Sequence, residues 1–182
     1  MTETHTLFRP AWLAGVDPLP RMVAEGLALV GTREKVGPGD NPVIMAWARE
    51  LGLADAYTAD AVPWCGLFMA IVAKRAGKPA PSNPLWARNW TKFGIVPPGG
   101  VAGLGDVLVF QRAGGGGHVG LYLGQDASAF HVLGGNQGDA VNIARIARSR
   151  CIAVRRPVYR IQPDSVRQYN VDARGGLSSN EA

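Results

Sequence analysis

Two residues carry the most distinctive chemistry this chain could perform. Cys65 lies in Val62-Pro63-Trp64-Cys65-Gly66-Leu67-Phe68, where the proline fixes entry to a helix and leaves the thiol in its first turn. Backbone N–H groups without helical partners, and the positive end of the helix dipole, stabilise a thiolate there. His118 directly follows Gly114–Gly117 and opens the run Val119-Gly120-Leu121-Tyr122, so it stands at the mouth of a strand beside backbone free of side chains. A thiolate and an imidazolium stabilise each other, and such a pair supplies a nucleophile and then a general acid. The competing reading is structural: a free cysteine is commonly a small buried hydrophobe, and a histidine at a strand start is commonly a surface residue. Cys151 fits that structural role, since it sits in an apolar strand pattern with Ile152 and Val154.

Other chemistries have less behind them. The histidines are His5, His118 and His131, and with the two cysteines they form neither a CxxC nor an HExxH pattern, so no metal and no cofactor are expected. Two cysteines could close one disulfide but not a disulfide framework. Gly114–Gly117 is no phosphate loop, because no Gly-Lys pair follows and no helix begins there. Asp106 beside a strand reads as a turn cap. Trp64, Trp86 and Trp90 are candidates to line a sugar- or peptide-binding groove, with packing in the domain core as the competing reading.

The elements that must position these residues can be read along the chain. Residues 1–18 form an irregular, proline-containing N-terminal arm. Apolar spacing predicts a helix over 19–35 with Pro20 in its first turn. Asn41-Pro42 is an N-cap and first-turn pair that opens a second helix to about Leu51, closed by Gly52. A third helix begins at Pro63 and runs to Ala76 with Gly77 past its end, and residues 84–93 suit a short Trp-rich helix. Strands follow at Val107–Phe110, His118–Leu123, Ala129–Leu133, Ala140–Ile146 and Cys151–Arg155. Helices first and strands later predict an α+β domain over 19–157, with N-terminal helices packed on a C-terminal antiparallel meander of four to five strands. Past Pro157 the hydrophobic density falls, and 158–182 is expected to be a loosely ordered extension.

Composition sets the outer limits. With 182 residues, 47% hydrophobic and 18% charged, the chain suits one folded domain and excludes wholesale disorder. No apolar run reaches the roughly 20 residues that span a bilayer, so membrane insertion is not expected. Met1–Pro10 contains Glu3, His5 and Arg9 and no apolar core segment, so no secretory signal is expected. A formal charge of +5 favours an anionic partner.

Three motifs in order then carry a resemblance. Pro63-Trp64-Cys65-Gly66, Gly105-Asp106-Val107-Leu108-Val109-Phe110 and Gly117-His118-Val119-Gly120-Leu121-Tyr122 resemble the papain-like cell-wall peptidases, the CHAP and NlpC-type families, over residues 20–157. His131-Val132-Leu133-Gly134-Gly135-Asn136-Gln137 resembles a branch common among phage lytic proteins. The resemblance implies a papain-like fold and hydrolysis of a peptidoglycan amide bond through a thioester acyl-enzyme. Cys65 would be nucleophile, His118 base, and the Cys65 backbone N–H part of an oxyanion hole.

A third polar residue must hold the far ring nitrogen of the histidine. Asn136 and His131 are the candidates. CHAP-type enzymes commonly place an Asn here with a Glu two residues before it, where this chain has Gly134; NlpC-type enzymes commonly place a His at the end of the hairpin. A four-residue loop Gln125–Ser128 pairs Gly124 with Ala129 and sets His118 opposite Gly135, with Asn136 diagonal and His131 about 13 Å from that point. A two-residue turn at Gly124-Gln125 sets His118 against His131 instead. The polar stretch favours the longer loop and therefore Asn136, with His131 as the alternative.

The expected partner is peptidoglycan, with no nucleic acid, and a monomer is expected. An enzyme made without a leader would reach the wall from the bacterial cytoplasm by holin, virion or secretion machine, and a phage lysin is the economical reading. The alternatives are an acyltransferase or deamidase on the same fold, or a non-catalytic wall-binding or structural protein.

Overall fold

The computed structural model describes residues 8–173 and 175–179. The Asn41 side chain accepts from Val43 N at 2.8 Å, and Pro42 occupies the first helical position, so α2 (Pro42–Glu50) starts where this pair predicts. α3 (Cys65–Arg75) begins just past Pro63 and stops before Gly77, whose φ is 69°. α1 is shorter than its apolar spacing predicts, covering Arg21–Leu27 alone. Beyond it the chain passes through turns to Gly31 and then bridges at Arg33 to Ala140: Gly31 N–H donates to Val141 O, Val141 N–H to Thr32 O and Glu34 N–H to Asp139 O. Pairing with distant backbone wins there over helical periodicity. The Trp-rich segment forms a 3-10 helix at Ala87–Lys92.

Five strands follow: β1 (Val107–Gln111), β2 (Gly117–Gln125), β3 (Ala129–Gly134), β4 (Asn142–Ala147) and β5 (Cys151–Arg155). They make one antiparallel sheet in the order β4-β3-β2-β1-β5. The first four form the expected meander, and β5 returns to the far edge beside β1. Only residues 148–150 join β4 to β5, although the two strands occupy opposite edges. Four strand spacings in a flat sheet amount to about 19 Å, whereas the link from Ala147 to Cys151 reaches at most about 14 Å. The sheet is therefore curled. Its inner face holds a core contributed by all five strands, including Leu108, Phe110, Tyr122, Phe130, Val132 and Ile146, with Cys151 and Val154 beside them. The helices cover the other face, where Val107, Val109, Val119, Leu121 and Leu133 join the larger core. α3 is buried from Cys65 to Ala73, not along one face as its spacing suggests.

The β2–β3 register is Leu121↔Leu133 and Tyr122↔Val132, then shifts to Gly124↔His131 and Gln125↔Phe130. The hairpin loop is thus Asp126–Ser128, one residue shorter than the expected Gln125–Ser128, and an irregularity separates its register from that near His118.

The described parts of the arm and of the C-terminal segment are fastened to this core more tightly than their composition predicts; residues 1–7, 174 and 180–182 lie outside the described residues. In the arm, Leu13 is buried and Trp12 Nε1 donates to Leu123 O at 3.2 Å. Past Pro157, Arg167 O accepts from Leu104 N, Tyr169 O accepts from Gln125 N, and Val171 N donates to Gln125 O. Ser165 Oγ donates to Pro18 O at 2.7 Å. The segment up to residue 171 is therefore tied to the domain by backbone partners that a reading of hydrophobic density does not register. Asp106 is more than a turn cap: besides accepting from Gly103 N at 2.8 Å, it receives Arg156 Nε at 2.9 Å and Nη2 at 2.8 Å, fully buried. Among the described residues, no helix is long and apolar enough to cross a membrane.

Candidate active site

After β3, Asn136 takes a left-handed turn with φ 57°, a conformation asparagine tolerates better than most residues. The chain reverses, and Gln137 N donates to Ala140 O at 3.0 Å. The Gln137 side chain is then fixed from one side. Its Nε2 donates to Val132 O at 3.2 Å, to Asn142 O at 2.8 Å and to Asn142 Oδ1 at 3.0 Å, while Asn142 Nδ2 donates back to Gln137 O at 2.7 Å. Acceptors on that side identify the atom as the amide nitrogen, so Oε1 is the atom turned to His118 Nε2, 3.0 Å away. An acceptor at that position requires a proton on Nε2, which makes Nδ1 the basic nitrogen of the neutral ring.

Gln137 thus holds Nε2 of His118, a contact that the spacing had suggested for Asn136 or His131. The register shift and the left-handed turn together move the contact one residue along. Asn136 itself is buried at the turn. Gly134 admits the contact: a Cβ there would stand 2.6 Å from Gln137 Oε1 and 3.1 Å from His118 Nε2. His131 lies opposite Gly124, six residues along β2 from His118, or about 20 Å. Its Nε2 bonds Asp126 Oδ2 at 2.9 Å.

Cys65 is the first residue of α3 and is 3% exposed, and His118 is fully buried. Backbone at Val119, the residue after His118, lies close enough to the thiol to act on its ionisation, as does backbone at Gly66 and at Cys65 itself. A second close approach brings the other side of the site in. A Cβ on Gly135 would stand 2.5 Å from Phe68 Cβ and 2.8 Å from Trp64 Cζ3, so the turn leading to Gln137 presses on the first turn of α3. Cys65, His118 and Gln137 are in this way gathered where the N-terminus of α3 meets the ends of β2 and β3. Burial pushes the Cys65 thiol up, while the Val119, Gly66 and Cys65 backbone and the Arg112 guanidinium act against that push. Burial thus works against ionisation of the thiol, while the helix-start position works for it.

The three tryptophans part company. Trp64 is fully buried, donates from Nε1 to Glu34 Oε1 at 2.7 Å and packs 6.0 Å from the Trp47 ring. Trp90 is fully buried, donates to Pro84 O at 2.8 Å and packs 5.3 Å from Phe93. Neither offers a face to substrate, because packing has consumed both. Trp86 is 73% exposed just before the 3-10 helix and is the one of the three open to a ligand. Cys151 opens β5 with its thiol bonded to Ala153 O at 3.4 Å and pushed up to about 11 by burial. Among the described residues, no group of three or more His, Cys, Asp or Glu is arranged to hold a metal ion. No protein-family model, no curated protein and no solved structure matches this chain.

Proposed function

We propose that this protein hydrolyses an amide bond of bacterial cell-wall peptide, with Cys65 as nucleophile, His118 as base and Gln137 as the residue that positions the imidazole. The observation that carries the reading is the locked His118–Gln137 pair, 3.0 Å apart, beside a helix that begins at a cysteine. In this reading Cys65 Sγ attacks the carbonyl carbon as its proton passes to His118 Nδ1. The oxyanion is met by the Cys65 backbone N–H. Collapse breaks the C–N bond, the leaving amine takes the proton from His118, and a thioester remains. Water, deprotonated by His118, then releases the acid and restores the thiol. Burial of the thiol suits this order, in which ionisation accompanies attack. Papain-like ancestry is the interpretation that fits a helix thiol followed by a strand histidine on an α+β fold. The charge of +5 suits an anionic wall.

Incubation of the full chain and of Cys65→Ser with purified murein, followed by mass analysis of the soluble fragments, tests the proposal. New amino termini released by the wild type and not by the variant support it. Ammonia release or fragment joining would assign the site to deamidation or acyl transfer. Burial of both Cys65 and His118 favours a second reading, a non-catalytic wall-binding protein, and binding to murein with no fragment released by the wild type would leave that one standing.

A further inference from the structure

Among the described residues, His131 is the histidine that the candidate active site leaves unused. With Arg9, Trp12, Arg145, Asn170 and Asp172 it lines a cavity of about 700 Å³ between the N-terminal arm, the β3–β4 pair and the C-terminal segment. That volume lies within the range of about 300–1,000 Å³ in which proteins hold small organic ligands.

The polar wall of this cavity is held in place. Asp126 accepts from Arg145 Nε at 2.9 Å and Nη2 at 3.1 Å, from Ser128 N at 3.0 Å, from Ala129 N at 3.1 Å and from His131 Nε2 at 2.9 Å. The Arg145 guanidinium foremost holds its carboxyl well below the usual carboxylate range. Because a carboxylate accepts at Nε2, His131 carries its proton there in the neutral ring, and Nδ1 is the acceptor. Trp12 stands edge-on to His131 with ring centroids 5.6 Å apart and is pinned through Nε1 to Leu123 O. Trp12 and His131 both line the cavity and meet edge-on without filling it.

Its chemistry narrows the ligand. Arg9 and Arg145 are balanced by Asp126 and Asp172, so no net charge recommends an ion. Arg9 supplies donors, Asp172 and His131 Nδ1 acceptors, Asn170 both, and Trp12 an aromatic surface. We propose that this cavity binds a short neutral saccharide, whose C–H faces suit the tryptophan and whose hydroxyls both donate and accept. The site is remote from Cys65, and its occupancy does not depend on the thiol chemistry.

Titration of the full chain with N,N′-diacetylchitobiose and with cellobiose, followed by calorimetry and tryptophan fluorescence, tests this directly. At least one sugar is expected to bind saturably in the micromolar to millimolar range. Asp172→Ala, at an exposed position, and His131→Gln should each weaken binding about tenfold or more, whereas Cys65→Ser should leave it unchanged. Unfolding midpoints of the variants separate lost binding from lost folding, and Asp172→Ala carries the test if His131→Gln is unstable. Three results would overturn the proposal: no saturation by either sugar up to about 10 mM, binding indifferent to Asp172→Ala, or preference for glucuronate over both neutral sugars.

Discussion

Gln137 Oε1 meets His118 Nε2 at 3.0 Å, and the same amide is anchored through its nitrogen to Val132 and Asn142. This pair sets the tautomer of His118 whatever the substrate. Gln137→Ala should therefore lower kcat/KM by about 10–1000-fold with little change in KM, because the ring loses its orientation. Asn136→Gly keeps the left-handed turn and should retain most of the rate. Both are measured on one soluble muropeptide. A dead Asn136→Gly beside a near-normal Gln137→Ala would return the role to Asn136.

Gly134 makes a sharper test of the same contact. The added methyl of Gly134→Ala would lie 2.6 Å from Gln137 Oε1, a distance that real contacts do not sustain, so the amide must move off His118. Activity should fall by an amount similar to that in Gln137→Ala, and the double variant should lose little more than either single one. Fully additive losses would mean that Gly134 acts on something other than this pair.

How far this site could be read from the residues differs element by element. The Asn41-Pro42 cap, the helix at Cys65 and the strand at His118 were legible because each rests on local chemistry: a side-chain acceptor, a fixed φ, a turn followed by an apolar run. The His118–Gln137 contact was not, since it depends on a register shift between Tyr122 and Gly124 that leaves no mark in residue types. Trp64, Trp86 and Trp90 are alike as residues, and only packing against Trp47 and Phe93 decides which two are hidden. The end of α1 was lost for the same kind of reason, its continuation being claimed by backbone at Asp139 and Val141.

The Asp106–Arg156 pair ties the turn before β1 to the residue after β5, with side chains 0% and 10% exposed. Asp106→Ala leaves a buried guanidinium without its partner and should cost about 3–5 kcal/mol in urea unfolding. Replacing both, Asp106→Leu with Arg156→Met, should recover a large part of that loss, since a buried ion pair stabilises little beyond an apolar pair of similar volume. If Asp106→Ala unfolds at the wild-type urea midpoint, the pair does not hold the strand edge.

The thiol of Cys65 gives the pH test. Burial raises it, so the folded chain keeps a proton that the unfolded chain releases at the ordinary thiol value of about 8.5. Its stabilising contribution is then complete below that value and is lost as pH rises toward the folded one. The same shift governs reactivity, because the thiolate is the species alkylated. In a Cys151→Ser background, iodoacetamide labelling of the free protein should climb steadily with pH through and past about 8.5, with no plateau near neutrality. His118→Ala should leave that climb in place while abolishing turnover, as expected if the imidazole takes the proton only when substrate is attacked. A flat, fast labelling rate from mildly acidic to neutral pH, abolished by His118→Ala, would show instead that the thiolate–imidazolium pair exists before substrate arrives.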